Sequence, residues 1–180
     1  MKQIPVIILG AGGVGQALLR QIIDGRITTA ARNQIQFNVV AVADRRSLAW
    51  DPLGMSDFHL MSIIEAKQVG LPVNPSQPPL PHINGERPSN QDIIDFTLAA
   101  ELENVIVVDV TAESGMELVY NRALKLGYGV VMANKKALAG PWSTAQNYFN
   151  HLRVRHESTV GGGQPVIATL RTLLDTHDTI

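Results

Sequence analysis

Short apolar runs alternate with longer mixed segments along most of the chain. The apolar runs predict buried strands because they are brief and rich in β-branched residues. They cover residues 4–9, 37–44, 105–110, 130–133 and 153–156. The mixed segments predict helices at about 16–24, 58–69, 90–102, 116–126, 143–151 and 165–175. This alternation indicates an α/β fold, a doubly wound and mainly parallel Rossmann-like sheet with helices on both faces.

Three stretches lack a regular pattern. Residues 25–36 are polar and are predicted to connect the first helix to the second strand, and residues 48–53 are predicted to be irregular. Six prolines between residues 71 and 88 predict a proline-rich loop there. The length of 180 residues fits one domain, so we expect residues 1–180 to fold together.

The first predicted strand runs directly into a glycine-rich turn, G-x-G-x-x-G, which a helix follows. This order is required of a dinucleotide phosphate site, because the glycines allow a tight turn and the first helical amides point at the anion. The residues predicted to contact the phosphates are Gly10, Gly12, Gly13, Val14 and Gly15. The alternative is a purely structural turn.

An acidic residue and two basic residues follow the second strand. Asp44 at this position is typical of binding to the adenosine ribose and favours NAD, whereas Arg45 and Arg46 could hold the additional phosphate of NADP. The two arginines could equally be solvated loop residues. The sequence therefore predicts a nicotinamide cofactor and leaves NAD and NADP as alternatives.

Polar residues also follow the next two strands, and their side chains should face the same crevice as the glycine turn. Thr111 and Ala112 are candidates to contact the nicotinamide or its ribose, although Thr111 could simply cap a helix. Asn134, Lys135 and Lys136 follow the strand at 130–133. A lysine there could meet a phosphate, a carboxylate or a developing alkoxide, or could be ordinary solvated surface.

A second glycine-rich turn spans residues 157–165. It could bind an anion through backbone amides, bind a cation through backbone carbonyls, or serve as a structural turn. On the pattern alone, a structural turn is the favoured interpretation.

The composition excludes several classes of function. A formal net charge of −1 without a basic run argues against binding to nucleic acid or an anionic membrane. The absence of cysteine excludes disulfides, thiolate metal sites and cysteine nucleophiles. No apolar stretch is long enough to span a bilayer, and the start of the chain lacks a secretory signal. We therefore expect a cytoplasmic protein whose partners are small molecules.

Three segments resemble homoserine dehydrogenase in the same order and at similar spacing. They are VDVTA at 108–112, VVMANKKALA at 130–139 and HESTVGGGQPVI at 156–167. The resemblance implies an oxidoreductase of threonine and methionine biosynthesis, which interconverts aspartate 4-semialdehyde and homoserine by NAD(P)-dependent hydride transfer. Acylating dehydrogenases that form thioesters are a poor alternative because they need a cysteine nucleophile.

The resemblance also implies roles for individual residues. Thr111, Ala112, Asn134 and Lys135 would line the nicotinamide side, with Lys135 as the catalytic contact to the reacting oxygen and Lys136 as the alternative. The glycine-rich turn would hold a sodium ion. Its ligands, largely backbone oxygens, would be Glu157, Val160, Gly162 and Gln164.

Residues 1–180 would then be the NAD(P)-binding domain of a longer enzyme. The family's substrate domain would begin beyond residue 180, and it would also supply much of a homodimer contact. A nucleotide-binding module or redox-state sensor without turnover is the alternative function for the chain alone.

Overall fold

The computed structural model describes residues 1–74 and 87–176. The strands are β1 (Lys2–Leu9), β2 (Ile35–Ala43), β3 (Leu48–Trp50), β4 (Ile106–Asp109), β5 (Gly129–Met132) and β6 (Val154–Arg155). The α-helices are α1 (Gly13–Asn33), α2 (Asp57–Gln68), α3 (Asn90–Ala99), α4 (Glu117–Lys125), α5 (Trp142–Phe149) and α6 (Val166–Asp175). Two 3-10 turns, Glu157–Thr159 and Gly161–Gly163, separate β6 from α6.

The strands form one sheet in the order β3-β2-β1-β4-β5-β6. All neighbouring pairs are parallel except β2 and β3, which are antiparallel. The strand order reverses at β1, because β2 lies on one side of it and β4 on the other. In sheets of this kind, ligands bind beyond the carboxyl ends of the strands at such a reversal. The predicted fold, doubly wound and mainly parallel, is confirmed.

Helices pack on both faces of the sheet. Successive residues of a strand point to opposite faces, so Val6 and Ile8 belong to one buried cluster while Ile7 and Leu9 belong to the other. The first cluster contains Leu19 of α1 together with residues of α2, and the second contains residues of α3, α4 and α5. Within residues 1–74 and 87–176, no helix combines the length and apolar character needed to cross a bilayer.

The predicted polar connection at 25–36 is wrong, because α1 continues to Asn33 and β2 begins at Ile35. Contacts with other elements support the extension. The Arg26 guanidinium donates to the Phe37 carbonyl at 3.3 Å and forms an ion pair with Asp57 of α2 at 2.7 Å. The helix ends at Asn33, and its C-cap residue Gln34, with a φ of 56°, turns the chain directly into the strand.

The irregular structure predicted for 48–53 is also partly wrong, because residues 48–50 form β3. The chain reverses after β2 through a turn held by the Asp44 carboxylate, which accepts hydrogen bonds from the amides of Arg46 and Ser47. Of the predicted proline-rich loop, residues 75–86 lie outside the described part of the chain. The remaining predicted elements are present, with ends that differ by a few residues.

Candidate functional site

A cavity of about 660 Å³ lies at the carboxyl ends of β1, β2 and β4. Three backbone segments form it, namely 9–12 after β1, 43–46 after β2 and 110–113 after β4. Lys67, Arg87 and Asn90 complete its lining. This is the position that the sheet topology predicts for a ligand, and its size is in the range of cofactor pockets.

The glycine turn is shaped by close backbone contacts. Gly10 has a φ of 107°, and a Cβ there would lie 3.0 Å from the backbone of Val110. A Cβ on Gly15 would lie only 2.1 Å from the carbonyl oxygen of Gly10. Glycine is therefore required at both positions to bring β1, α1 and the segment after β4 together.

The start of α1 faces outward from this turn. Gly12 is the N-cap residue, and among the described residues no side chain caps this end of the helix. A Cβ on Gly12 would meet open space, so its backbone is approachable from the cavity. The first amides of α1 belong to Gly13, Val14 and Gly15, which lie outside the cavity lining although the preceding Gly12 is part of it. That these amides receive an anion stays a prediction.

The Asp44 carboxylate is engaged by protein groups at both oxygens. Oδ1 accepts from the amides of Arg46 and Ser47 and from the Ser47 hydroxyl, at 2.7–2.8 Å. Oδ2 forms an ion pair with the ammonium of Lys67 at 2.6 Å. Burial by itself would raise the pKa of Asp44, but the hydrogen bonds from Lys67, Ser47 and Arg46 outweigh it and hold the pKa below its ordinary value of 3.8.

Four cationic side chains border the cavity. Arg45 and Arg46 are exposed, and neither forms an ion pair with another described residue. Lys67 pairs with Asp44, and Arg87 donates to the Pro88 carbonyl at 2.6 Å and to Asn90 at 2.9 Å. Burial lowers the pKa of Arg87, while the nearby charges of Glu113 and Asp44 oppose that effect. Two acidic residues, Asp44 and Glu113, face these four cations.

Sequence reasoning missed Lys67 and Arg87 as site residues. Lys67 was predictable only as part of a helix, and its place beside Asp44 depends on how α2 packs against the end of β2. Arg87 lies near the end of the proline-rich stretch at 71–88, where the sequence offered no regular pattern. For Arg87 the available signal was a lone cation just before an expected helix start, whereas Lys67, near the end of its helix, carried no local signal for the site.

The segments after β4 and β5 are joined by a buried hydrogen-bond network. Asp109 accepts from the Thr111 amide at 2.7 Å and from the Asn134 side-chain amide at 3.0 Å. The Tyr120 hydroxyl also donates to Asp109. Asn134 further contacts the Thr111 hydroxyl at 3.2 Å and the Glu113 carbonyl at 2.8 Å. The structure thus brings Thr111 and Asn134 together as predicted, around a carboxylate that sequence reasoning did not single out.

Thr111 and Ala112 line the cavity, whereas Asn134, Lys135 and Lys136 are outside its lining. The Lys136 ammonium donates to the Ser114 hydroxyl at 3.2 Å, and its amide donates to the Asn134 side chain. The Lys135 side chain is exposed. Lys135, which follows β5, is therefore exposed to solvent and lies outside the cavity lining.

The second glycine-rich turn lies apart from the cavity lining. Its Gly161 and Gly162 have φ values of 77° and 55°, which tighten the turn before α6. The Glu157 carboxylate accepts from the amides of Ile167 and Ala168 at 3.1 and 3.2 Å, so this side chain caps the start of α6. No group of three or more His, Cys, Asp or Glu side chains within the described ranges could hold a metal ion, so a cation here would rely on backbone oxygens.

Comparison with known proteins agrees with the geometry. The sequence profile of the homoserine dehydrogenase NAD binding domain matches residues 10–153. A bifunctional aspartokinase/homoserine dehydrogenase of Haemophilus influenzae is 28% identical, with 98% of this chain and 20% of that protein covered. The homoserine dehydrogenase of Saccharomyces cerevisiae is 27% identical, with 99% of this chain and 45% of the yeast enzyme covered.

Solved structures give the same assignment. A hyperthermophilic archaeal homoserine dehydrogenase in complex with NADPH superposes with a TM-score of 0.70 at 26% identity, over 93% of this chain and 48% of that one. The homoserine dehydrogenase of Thermoplasma acidophilum gives 0.64 at 28% identity, over 97% and 49%. The chain spans half or less of the length of these relatives. By its fold and its sequence, it belongs to the homoserine dehydrogenase family, within that family's NAD-binding domain.

Proposed function

We propose that this chain binds NADP(H) in the cavity at the ends of β1, β2 and β4, as the cofactor-binding part of a homoserine dehydrogenase. The observation that carries the proposal is the convergence of the glycine turn, the charged segment after β2 and the Thr111 segment on one cavity of suitable size. The family assignment and the NADPH complex of the archaeal relative support it.

The chain's own residues divide the work of holding the cofactor. The amides at the start of α1 would receive the pyrophosphate, the residues after β2 would receive the adenosine end, and Thr111 and Ala112 would flank the nicotinamide. When bound, the nicotinamide supplies or accepts the hydride. The protein's part is to orient the reacting groups and to stabilise charge on the substrate oxygen.

We favour NADP over NAD because of the environment of Asp44. A carboxylate that selects NAD must accept hydrogen bonds from the ribose hydroxyls. Here its two oxygens already accept four hydrogen bonds from Lys67, Ser47 and Arg46. The exposed Arg45 and Arg46 stand beside it and would attract the additional phosphate of NADP.

Titration calorimetry of the chain with NADPH and, separately, with NADH at one low salt concentration tests the binding proposal. NADPH is expected to bind more tightly than NADH. Tighter binding of NADH would reject the assignment of Arg45 and Arg46, and no binding of either would reject the cofactor site.

For the reaction, we propose the reversible reduction of aspartate 4-semialdehyde to homoserine, with Lys135 contacting the reacting oxygen. Lys135 is the better candidate of the two lysines because Lys136 is held by Ser114. The test measures turnover from the absorbance of reduced nicotinamide, in the protein that carries this chain. It compares the turnover of the Lys135→Met variant with that of the Lys136→Met variant. Cofactor binding without turnover in that protein would favour the alternative function, a nucleotide-binding module or redox-state sensor.

A sodium ion at the second glycine-rich turn is a further part of the proposal, with Glu157, Val160, Gly162 and Gln164 as ligands. Because the Glu157 carboxylate caps α6, its backbone carbonyl is the group assigned to the ion. Thermal unfolding in sodium chloride and in choline chloride at equal ionic strength tests this, and a higher midpoint in sodium is expected. A homodimer and a cytoplasmic location stay predictions from the sequence.

A further inference from the structure

Asp109, the last residue of β4, has no solvent exposure. Burying a carboxylate is costly unless several hydrogen bonds compensate it. Here Oδ1 accepts from the Thr111 amide, while Oδ2 accepts from the Tyr120 hydroxyl and the Asn134 side-chain amide. These described partners are neutral donors, so the carboxylate is held by hydrogen bonds rather than by a paired cation.

Each donor comes from a different part of the structure. Thr111 belongs to the segment that lines the cavity, Asn134 belongs to the segment after β5, and Tyr120 belongs to α4. The Tyr120 ring packs edge-on against Tyr148 of α5 at 5.7 Å between centroids, so the hydroxyl is anchored in the helical layer. Asp109 therefore joins two loops to the rigid core beneath them.

Asn134 extends the connection across the two loops. Its amide nitrogen contacts the Thr111 hydroxyl and the Glu113 carbonyl, and its amide oxygen accepts from the Lys136 backbone. The Thr111 hydroxyl also accepts from the Glu113 amide at 3.2 Å. A displacement of Asn134 would therefore be transmitted to both the cavity wall and the lysine segment.

We propose that Asp109 is a positioning residue, which fixes the loops at 110–114 and 133–136 in the arrangement that receives the nicotinamide end of the cofactor. The inference rests on the proposed function, since it assumes that the cavity holds a nicotinamide dinucleotide. Asp109 itself contacts no cofactor in this proposal and acts through Thr111 and Asn134.

The isosteric change Asp109→Asn is a direct test because it replaces one acceptor oxygen by an NH₂ group. Whichever way the new amide turns, that NH₂ must face the donor of Thr111 or the donors of Tyr120 and Asn134. Tyr120→Phe is the milder second variant, which removes one donor and keeps the ring. Tyr128→Phe is the matched control, since it removes the hydroxyl of another buried tyrosine, at the amino end of β5. This hydroxyl accepts a hydrogen bond from Thr97 and donates one to the Leu102 carbonyl.

The experiment uses calorimetry to measure the affinity of the full 180-residue chain for two ligands. NADPH reports on both ends of the cavity, whereas 2′,5′-ADP carries the adenosine end alone. For Asp109→Asn we expect about tenfold weaker NADPH binding, since misplaced contact groups commonly reduce affinity by such factors, and 2′,5′-ADP binding within about twofold of wild type. Tyr120→Phe should change in the same direction by less, and Tyr128→Phe should leave the ratio of the two affinities unchanged.

Hydrogen exchange of the ligand-free chain gives a second readout that does not depend on the cofactor. Both site variants should exchange faster than wild type at the amides of Thr111, Glu113 and Lys136, and the control should not. If Asp109→Asn does not fold, Tyr120→Phe decides through the same two readouts.

The outcomes separate the two proposals. Wild-type NADPH affinity and wild-type exchange in the site variants would overturn the positioning role while leaving the proposed function intact. Equal losses for NADPH and 2′,5′-ADP would also overturn it, because they would indicate a general structural effect. A wild-type chain that binds neither ligand would reject the proposed function, and the positioning role with it.

Discussion

The two ends of the cavity are built on different physical principles. At the end of β2, the charged groups are accessible: Arg45 and Arg46 are exposed, and the side chains of Asp44 and Lys67 remain 15% and 18% exposed. At the end of β4, Asp109 is fully buried and is bonded to neutral donors. The β2 end of the cavity thus has charges that solvent can reach, whereas the β4 end has a buried charge whose hydrogen bonds hold the neighbouring loops in place.

This difference suggests a division of labour within one cavity. Accessible charges attract anions and distinguish between them. At moderate ionic strength, however, salt screens interactions between charges that are more than about 10 Å apart. A buried hydrogen-bond network is insensitive to salt. Removing one of its groups is costly because the buried group that it bonded is left without a hydrogen bond. Affinity for the phosphates should therefore vary with salt, while placement of the nicotinamide should not.

The largest effect is expected from disrupting the glycine turn between β1 and α1, on which both ends of the cavity depend. Gly15→Ala would place a Cβ 2.1 Å from the Gly10 carbonyl oxygen, which forces α1 away from β1. We expect a loss of roughly 3 kcal/mol in the free energy of unfolding, measured by urea denaturation. Gly13→Ala is the control, because a Cβ there meets open space, and its effect should be below about 1 kcal/mol. Equal stability of the two variants would contradict the steric argument.

The next effect isolates the charged end. The double change Arg45→Ala and Arg46→Ala should weaken NADPH binding about 10- to 100-fold, because each arginine would lose a charge-assisted hydrogen bond to the additional phosphate. NADH binding should change little. Calorimetry at two salt concentrations measures both. The double change Arg20→Ala and Arg32→Ala, at two exposed arginines of α1 outside the cavity lining, controls for the loss of two positive charges. An equal loss for NADPH and NADH would reject the phosphate contact.

A third prediction uses pH to address the buried end. Burial, reinforced by the hydrogen bond to Asp109, raises the pKa of Tyr120 far above its ordinary value of 10.0. The folded state therefore keeps this proton when the unfolded state loses it, so the stabilisation is complete below pH 10 and declines as the pH rises further. Above pH 10, the unfolding free energy of wild type should fall more steeply than that of Tyr120→Phe, by about 1.4 kcal/mol per pH unit. Parallel curves would contradict it.

The smallest expected effect concerns the ion pair between Asp44 and Lys67. Its partners are partly accessible, so Lys67→Met should cost at most about 1 kcal/mol of stability at neutral pH. Because the pKa of Asp44 is lowered in the folded state, the contribution is present above pH 3.8 and is lost as the pH falls below that value. The difference between wild type and variant in urea denaturation should therefore shrink in acid. A difference that persists in acid would assign the effect of Lys67 to packing.

The parts of the site that were predictable from the sequence are those encoded locally. The glycine turn, Asp44 and Thr111 each follow a recognisable strand, and a parallel sheet brings strand ends together by topology alone. Lys67 and Tyr120 reach the site from helices, so their roles depend on how those helices pack. Asp109 was visible only as a polar residue within the apolar run at 105–110 and the motif at 108–112.

The fold was predictable to a similar extent, and the two errors in its prediction have physical causes. The polar composition of residues 25–36 concealed a helix whose extension depends on Arg26 reaching Phe37 and Asp57. β3 has three residues and exists because Asp44 holds the reversal before it. Neither contact can be inferred from a local window of sequence.

The short outer strands have a consequence for behaviour at high concentration. The sheet ends on β3, with three residues, at one edge and on β6, with two, at the other. Exposed edges invite strands from other molecules to add on and begin aggregates, and brevity is one way in which natural sheets resist this. Within residues 1–74 and 87–176, the two edge strands therefore offer little backbone on which such growth could start. Beside the short β3, the carbonyls of Val39 and Val40 in β2 are occupied by the amides of Met55 and Asp51.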